Sequence, residues 1–495
     1  MQLGDILVGR GLVNAADIEA ALARQLTEGG RIGDNLIAMG LLTAEQLAEV
    51  MNTAPAVPAN LEETGISPRS LLNLMLKFML IEGCETVLDL AERLKLPRRG
   101  VQQLIDDAVQ QRLIQAVGAA PGGLALSIRH ALSETGRGAA KEALDQNLYL
   151  GPAPVNLQAY QDQVLGQRIS NEQLDADALR QGFAGLVVPE HYIRKLLPAV
   201  NAGRSVLLFG PPGNGKTTLA TRISTIFKDV VYIPYALEIG GQIIRIFDPS
   251  LHKPAVTQAA AAAAAAPAGI GLHRETFDQR WVACKRPVVV TGGEMTLDML
   301  DLQHSVETKF YDAPLHLKAL NGMLLIDDFG RQKFKPDELL NRMIVPMENQ
   351  VDYFKLITGT TFSLPFDVLM IFSTNLQPAD LMEAAFLRRM QYKIKLFEPT
   401  REEYRQIFDG VAKSRALTLS DDVFDFVVER LRGGGFGLAY YQPRFICDQV
   451  VEACKCFNMP PELTEELVAE ALSNLYFDIE DVSGAAAPQR LVAAA

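Results

Sequence analysis

Gly210-Pro211-Pro212-Gly213-Asn214-Gly215-Lys216-Thr217 is the stretch on which the fold turns. It fits G-x-x-x-x-G-K-[ST], and its neighbours suit it. Ser205-Val-Leu-Leu-Phe209 reads as a buried strand, and Thr217-Thr-Leu-Ala-Thr-Arg-Ile-Ser224 reads as a helix. Glycines let backbone N–H groups curl around phosphates, and the start of the helix adds partial positive charge. Lys216 is expected to reach the β- and γ-phosphates, the Thr217 hydroxyl to sit on Mg²⁺, and Thr218 to complete the first helical turn at the nucleotide. The sequence implies a bound nucleoside triphosphate.

Downstream, four further signals follow in order. Gly322-Met-Leu-Leu-Ile-Asp327-Asp328 is an apolar strand that ends in two carboxylates. Val368-Leu-Met-Ile-Phe-Ser-Thr-Asn375 is another apolar strand, ending in an amide. Ala384-Ala-Phe-Leu-Arg388-Arg389-Met390 carries paired arginines, and Tyr441-Gln-Pro443-Arg444 opens a helix after a glycine-rich turn. With the Gly-Pro-Pro-Gly form of the loop, this succession resembles the AAA+ ATPases over about 290 residues. The resemblance implies ATP and Mg²⁺, and it implies roles. Asp327 would hold Mg²⁺ as a Walker B aspartate does. Asp328 stands where most of the family carries Glu to polarise the attacking water. Asn375 matches sensor 1, Arg444 matches sensor 2, and Arg389 is the first choice of arginine finger with Arg388 the second. Helices over 400–411, 420–431, 444–457 and 462–475 would form the family's lid. Val351–Ser363 reads as a hairpin in which Tyr353 and Phe354 either pack or meet a partner. Arg286–Glu294 reads as a strand running into a glycine pair, without an assigned role.

Upstream of the loop, Pro68–Ile81, Val87–Leu94 and Arg99–Leu113 read as helices, and 113–117 with 124–128 as a two-stranded wing. This order resembles a winged helix-turn-helix. Between Ser67 and Gly118 seven Lys and Arg face six acids, and Asp106 and Asp107 on the third helix would repel phosphates. A DNA-reading role is therefore not favoured, although Arg98, Arg99, Gln102 and Gln103 are placed to reach base edges.

At the N-terminus the chain repeats itself with an offset of 29 residues. Residues 2–25 and 31–54 each read as a short helix, a Gly-Leu-Leu/Val turn, a cap (Asn14, Thr43) and a second helix. The pattern resembles the MshEN domain of type II secretion and pilus ATPases, many of whose members bind cyclic di-GMP. Gln2, Ile32 and Ala54 depart from it. The resemblance implies a ligand site in which Gln25 and Arg31 address guanine edges or phosphate. Gly4, Gly11, Gly33 and Gly40 would allow close backbone approach. Leu3, Leu7, Leu12, Leu36 and Leu41 would supply an apolar bed, with Asp34 beside Gly33 completing the set.

The expected architecture is multidomain: a small all-α MshEN-like domain (1–56), a winged-helix-like α+β domain (57–147), a linker (148–184), an α/β P-loop AAA+ core (185–399), an α-helical lid (400–480) and a disordered tail (481–495). Pro254–Gly271, with its alanine run, is expected as a flexible surface insertion.

A net charge of −12 argues against bulk adhesion to nucleic acid or anionic membrane. Five scattered cysteines, no export signal and no long apolar run point to a cytoplasmic protein with reduced thiols and no membrane span. The leading expectation is an oligomeric AAA+ ATPase, a hexameric ring or open ring, that remodels a protein client and is tuned by cyclic di-GMP. The client would belong to a secretion, pilus or motility system. Alternatives are an ATP-switched DNA-binding regulator or scaffold, a secretion or pilus ATPase, and a MoxR-like chaperone that handles a metal or cofactor.

Overall fold

The computed structural model describes residues 7–8, 12–28, 32–43, 46, 54–119, 128–172, 174–227, 229–255 and 277–476. Leu3, Gly4, Gly11 and Arg31, the alanine run and the tail 481–495 lie outside them.

The N-terminal unit contains helices Ala15–Glu28 and Ile32–Ala38. Its repeat is physical. The N–H of Leu12 donates to the Leu7 carbonyl and that of Leu41 to the Leu36 carbonyl, both at 3.0 Å. Leu7, Val13, Ala21, Leu36 and Leu42 form its buried core. Both expected caps are reciprocal: Asn14 and Asp17 exchange bonds of 2.8 and 2.9 Å, and Thr43 and Gln46 exchange bonds of 2.9 and 3.1 Å. Such caps satisfy N–H groups that the helix cannot.

Residues 68–146 form helices Pro68–Ile81, Val87–Leu94 and Arg98–Gln110, an antiparallel hairpin Ile114–Ala119 with Ile128–Leu132, and a helix Glu134–Gln146. The third helix stops short of the expected Leu113 because Arg112 turns left-handed, at φ 58°. The second wing strand is described over Ile128–Leu132, and its expected start at 124 lies outside the described residues. Gly118, read as the turn, lies within the first strand, where the register shifts between Ala116 and Gly118. Gly136 lets the last helix press onto the hairpin, since a Cβ there would lie 1.9 Å from the Leu113 carbonyl oxygen.

Residues 148–184 are not a free linker. Val155–Asn156 pairs with Leu237–Glu238 in parallel, and helix Leu157–Gly166 buries Tyr160 and Val164. The Pro-rich run 152–154 looked like a boundary, yet the Tyr149 hydroxyl donates to the Pro152 carbonyl and pins it.

The centre of the molecule is a five-stranded sheet. Its strands are labelled here in chain order as β1 (Val206–Phe209), β2 (Val288–Thr291), β3 (Gly322–Ile326), β4 (Val368–Thr374) and β5 (Tyr392–Lys395). Spatially they run β5-β1-β4-β3-β2, all parallel. Alternate residues divide between two cores. Leu207, Leu324, Met370 and Phe372 face one, and Val206, Leu208, Leu325 and Ile371 face the other. This is why β3 and β4 read as continuous apolar runs: a parallel sheet covered on both faces has no polar side.

Between the phosphate-loop helix, Lys216–Ile223, and β2 the chain adds a hairpin, Val230–Pro234 with Trp281–Lys285. It also adds two strands, 236–239 and 242–245, of a second five-stranded sheet, whose spatial order is 303–304, 311–312, 242–245, 236–239 and 155–156. A buried ion pair locks the front of the chain to this insert. Arg280 and Asp278 are 4% and 3% exposed and 2.7 Å apart. Arg280 also donates to the carbonyls of Pro154 (3.1 Å) and Thr64 (3.4 Å), and the Asp278 N–H donates to that of Pro55 (2.9 Å).

The expected hairpin is present as Val351–Lys355 with Thr361–Pro365. Phe354 packs inward against His316 and Phe362, whereas Tyr353 is exposed. Four helices, Arg401–Ser414, Asp421–Gly433, Gln442–Cys456 and Glu465–Leu475, share one apolar core as the lid. Among the described residues no helix is long and apolar enough to cross a membrane.

Candidate nucleotide-binding site

The phosphate loop leaves the carboxyl end of β1, where the strand order reverses between β5 and β4, the usual place for a ligand in an open parallel sheet. Gly210, Gly213 and Gly215 all have positive φ, at 142°, 77° and 75°. At Gly210 a Cβ would lie 2.2 Å from the Leu396 carbonyl oxygen. At Gly213 it would lie 2.3 Å from the ring of Tyr441. Glycine is required at both by contact as well as by backbone angle.

Pro211, Pro212, Thr217 and Thr218 are exposed along the loop and the first helical turn, while Asn214 and Lys216 are buried beneath it. Among the described residues the Asn214 side-chain amide has no hydrogen-bond partner. The Lys216 ammonium donates to the carbonyls of Gly210 (2.9 Å) and Pro211 (2.8 Å), which folds it into the loop. Burial lowers its pKa, against the opposing pull of Asp327 and Asp328.

The carboxylates arrive from β3. The Thr217 hydroxyl donates to Asp327 Oδ2 at 2.8 Å, across 110 residues of chain. Asn375, at the end of β4, donates through Nδ2 to Asp328 Oδ1 at 3.1 Å. Phosphate loop, acid pair and terminal amide therefore converge. A hydroxyl bonded to a carboxylate beside positive-φ glycines is a hard-oxygen donor set that fits Mg²⁺.

Asp328 has φ 47°, an uncommon angle for a residue with a side chain. Its neighbour is fixed on both sides: the Phe329 N–H donates to the Ser373 carbonyl at 2.7 Å, and the Thr374 hydroxyl donates to the Phe329 carbonyl at 2.8 Å.

Outside this cluster the placements differ. Arg389, at the end of helix Ala384–Arg389, is paired with Glu348 and lies over the Phe386 ring. Arg388 is exposed. Arg444 is 76% exposed and sits 3.5 Å from Asp448. The lid residue that meets the loop is Tyr441, at the start of the same helix. Its hydroxyl lies 3.0 Å from that of Tyr476, which also accepts a 2.8 Å bond from Gln442.

In the N-terminal unit Leu7, Gly33 and Leu36 are buried, Leu12 and Leu41 half-buried and Gly40 exposed. Burial of Leu7 and Leu36 makes them core more than ligand bed.

Sequence reasoning missed Tyr441 and Gln332. Nothing in a pattern of motifs signals a ring against Gly213 or an amide folded back onto a strand end.

Residues 184–241 match the family model for magnesium chelatase, subunit ChlI, and residues 400–474 match a domain of unknown function, DUF8689. Loop, strand order and match are together those of an α/β phosphate-loop core. Among solved structures, NtrX from Brucella abortus is 12% identical, with 72% of this chain and 62% of that one covered and a TM-score of 0.35. The chain thus spans less than two thirds of the NtrX structure. The Holliday junction branch migration motor RuvB of Thermotoga maritima is 18% identical, with coverages of 59% and 71% and a TM-score of 0.33. Domain III of the replication initiation protein DnaA, also of Thermotoga maritima, is 14% identical, with coverages of 59% and 95% and a TM-score of 0.32. No curated protein matches the sequence. The DUF8689 match coincides with the lid, and the ChlI match ends inside the insert that separates the phosphate-loop helix from β2.

Proposed function

We propose that this chain is an ATPase that assembles with copies of itself and uses ATP hydrolysis to remodel a protein client. The observation that carries the reading is the meeting of Thr217 with Asp327 and of Asn375 with Asp328 beside the phosphate loop. On binding ATP, the Lys216 ammonium would exchange loop carbonyls for phosphate oxygens. Thr217 and Asp327 would hold Mg²⁺, which supplies neutralisation of charge on the β- and γ-phosphates. Asp328 would accept the proton of the attacking water, with Asn375 orienting the carboxylate. Aspartate is one methylene shorter than glutamate, so closure by a neighbouring subunit fits the need to bring the water within reach. Arg388 or Arg389 would reach that neighbour's γ-phosphate as the finger.

The test is ATP binding and phosphate release by the purified chain with Mg²⁺. Lys216→Ala is expected to abolish binding, and tight ATP binding by that variant would sink the assignment.

For the N-terminal unit we propose regulation by cyclic di-GMP. The twofold repeat of Leu7 and Leu36, with matched caps at Asn14 and Thr43, supports it. Calorimetric titration of cyclic di-GMP into the full chain tests it. Micromolar binding that changes ATP turnover is expected, and an absence of heat would leave the unit as a docking adaptor.

A further inference from the structure

We propose that Gln332 is a positioning residue for hydrolysis, holding the turn after β3 so that Asp328 faces Asn375. The inference rests on the ATPase reading above, and it names a residue that none of the nucleotide motifs contains.

Gln332 lies four residues beyond Asp328, on the segment leading to helix Pro336–Asn349. Its side chain turns back instead of following the chain. Through Nε2 it donates to the carbonyls of Asp327 (3.0 Å), Asp328 (3.3 Å) and Gly292 (3.4 Å). Through Oε1 it accepts the N–H of Gly330 at 2.8 Å. One amide thus gathers the backbone of both acids, the glycine that follows them and the end of the adjacent strand β2. Its two N–H groups are shared among the three carbonyls and its oxygen accepts one bond, a donor and acceptor on one group that a carboxamide supplies.

What this holds is a left-handed backbone angle, uncommon for a residue with a side chain though less so for aspartate than for most. Asp328 has φ 47°, and Gly330 has φ 99°. Side chains are rare at such angles, and one persists there only when its surroundings over-determine it. The surroundings here are the Phe329 anchor to β4, the Arg331 N–H donating to the Asp328 carbonyl at 3.0 Å, and Gln332. With the angle fixed, the Asp328 carboxylate meets the Asn375 amide at 3.1 Å. Without the Gln332 amide, three carbonyls and one N–H of the turn lose a shared partner. The turn can then relax, and the carboxylate leaves the amide. Gln332 touches neither Asn375 nor Thr217 in any hydrogen bond described, so its effect on chemistry passes through Asp328.

The experiment compares the full chain with Gln332→Met, which keeps the stem and removes the amide, and with Gln332→Ala. ATP affinity, kcat for phosphate release and deuterium exchange of the nucleotide-free chain are measured for each. ATP affinity is expected to stay within about twofold of the parent, because the phosphate loop is untouched. A fall in kcat of roughly ten- to a hundredfold is expected, the range that small misplacements of reacting groups produce. Faster exchange is expected in residues 323–334 and not in the lid. Adding Asn375→Ala to Gln332→Met is expected to cost little beyond either change alone, since both act on one carboxylate.

A Gln332→Met chain with kcat within twofold of the parent overturns the proposal. So does a fall in kcat matched by an equal loss of ATP affinity. If the parent binds ATP and does not hydrolyse it, the ATPase reading fails first. Unchanged exchange at 323–334 would then separately overturn the role of Gln332 in holding the turn.

Discussion

Two parts of the chain were expected to hold nucleotides, and they are built on opposite plans. In the phosphate-loop core, Thr217, on the helix after β1, meets Asp327, just past β3, and Asn375, just past β4, meets Asp328, so that sequence separations of 110 and 47 residues are closed by hydrogen bonds. In the N-terminal unit every identifying contact is local: caps spanning three residues and turns spanning five, repeated once. A motif in a parallel sheet becomes a site through topology, because strand ends on one edge share a crevice. A local repeat fixes its own shape, and whatever it binds must then be read from surface residues that the repeat does not constrain. The difference teaches that identical caps and cores certify a fold, while only converging polar groups certify chemistry.

The sharpest way to break the comparison is in the core. If the AAA+ site is completed in trans, removing the finger leaves ATP binding intact and lowers turnover by roughly a hundredfold or more. Arg389 is engaged with Glu348 and Arg388 is exposed. Arg388→Ala is therefore expected to lose more turnover than Arg389→Ala, and steady-state phosphate release at saturating ATP decides between them. Equal and small losses would remove the trans site from the scheme.

The N-terminal side predicts smaller, paired effects. Leu36→Ala and Leu7→Ala each empty a fully buried position of one small core. Each is expected to cost about 2–5 kcal/mol of that unit's stability. Denaturant melts of the full chain should show the unit unfolding first while ATP binding persists, and unequal costs would mean that the two copies are not structurally equivalent. Smallest of all, Asn14→Ala should cost about 1 kcal/mol, the usual worth of such a cap. Protection of the helix Ala15–Glu28 against exchange measures it.

Much of this was legible before any coordinates. Gly210–Thr217, Asp327, Asp328 and Asn375 each stand at the end of an apolar run, so strand and motif announced one another. The lid helices and the Val351–Pro365 hairpin were legible from their caps and alternation. Residues 148–184 were not, because Pro152 and Pro154 mark a boundary in sequence and an anchored corner in space. Gly118 misled for a related reason: it read as a turn and is a bulge. Arg388, Arg389 and Arg444 were legible as arginines only. Glu348, 41 residues from Arg389 in sequence, is brought to it by packing, whereas Asp448 meets Arg444 by the i,i+4 spacing of one helix. Gln332 escaped notice because its contacts run to backbone, which carries no residue identity to match, and Tyr441 because Gly213 lies far from it in sequence.

The Arg280–Asp278 pair, almost wholly out of water, grips the chain at Pro55, Thr64 and Pro154 together. Removing one member of a buried pair strands the other, at about 3–5 kcal/mol, so this grip does not open for the asking. The front of the chain is thereby keyed to the insert as a tool head is keyed to its shaft. A shift of the insert would therefore reach the front of the chain without slack, and a pull on the front would be felt by the insert.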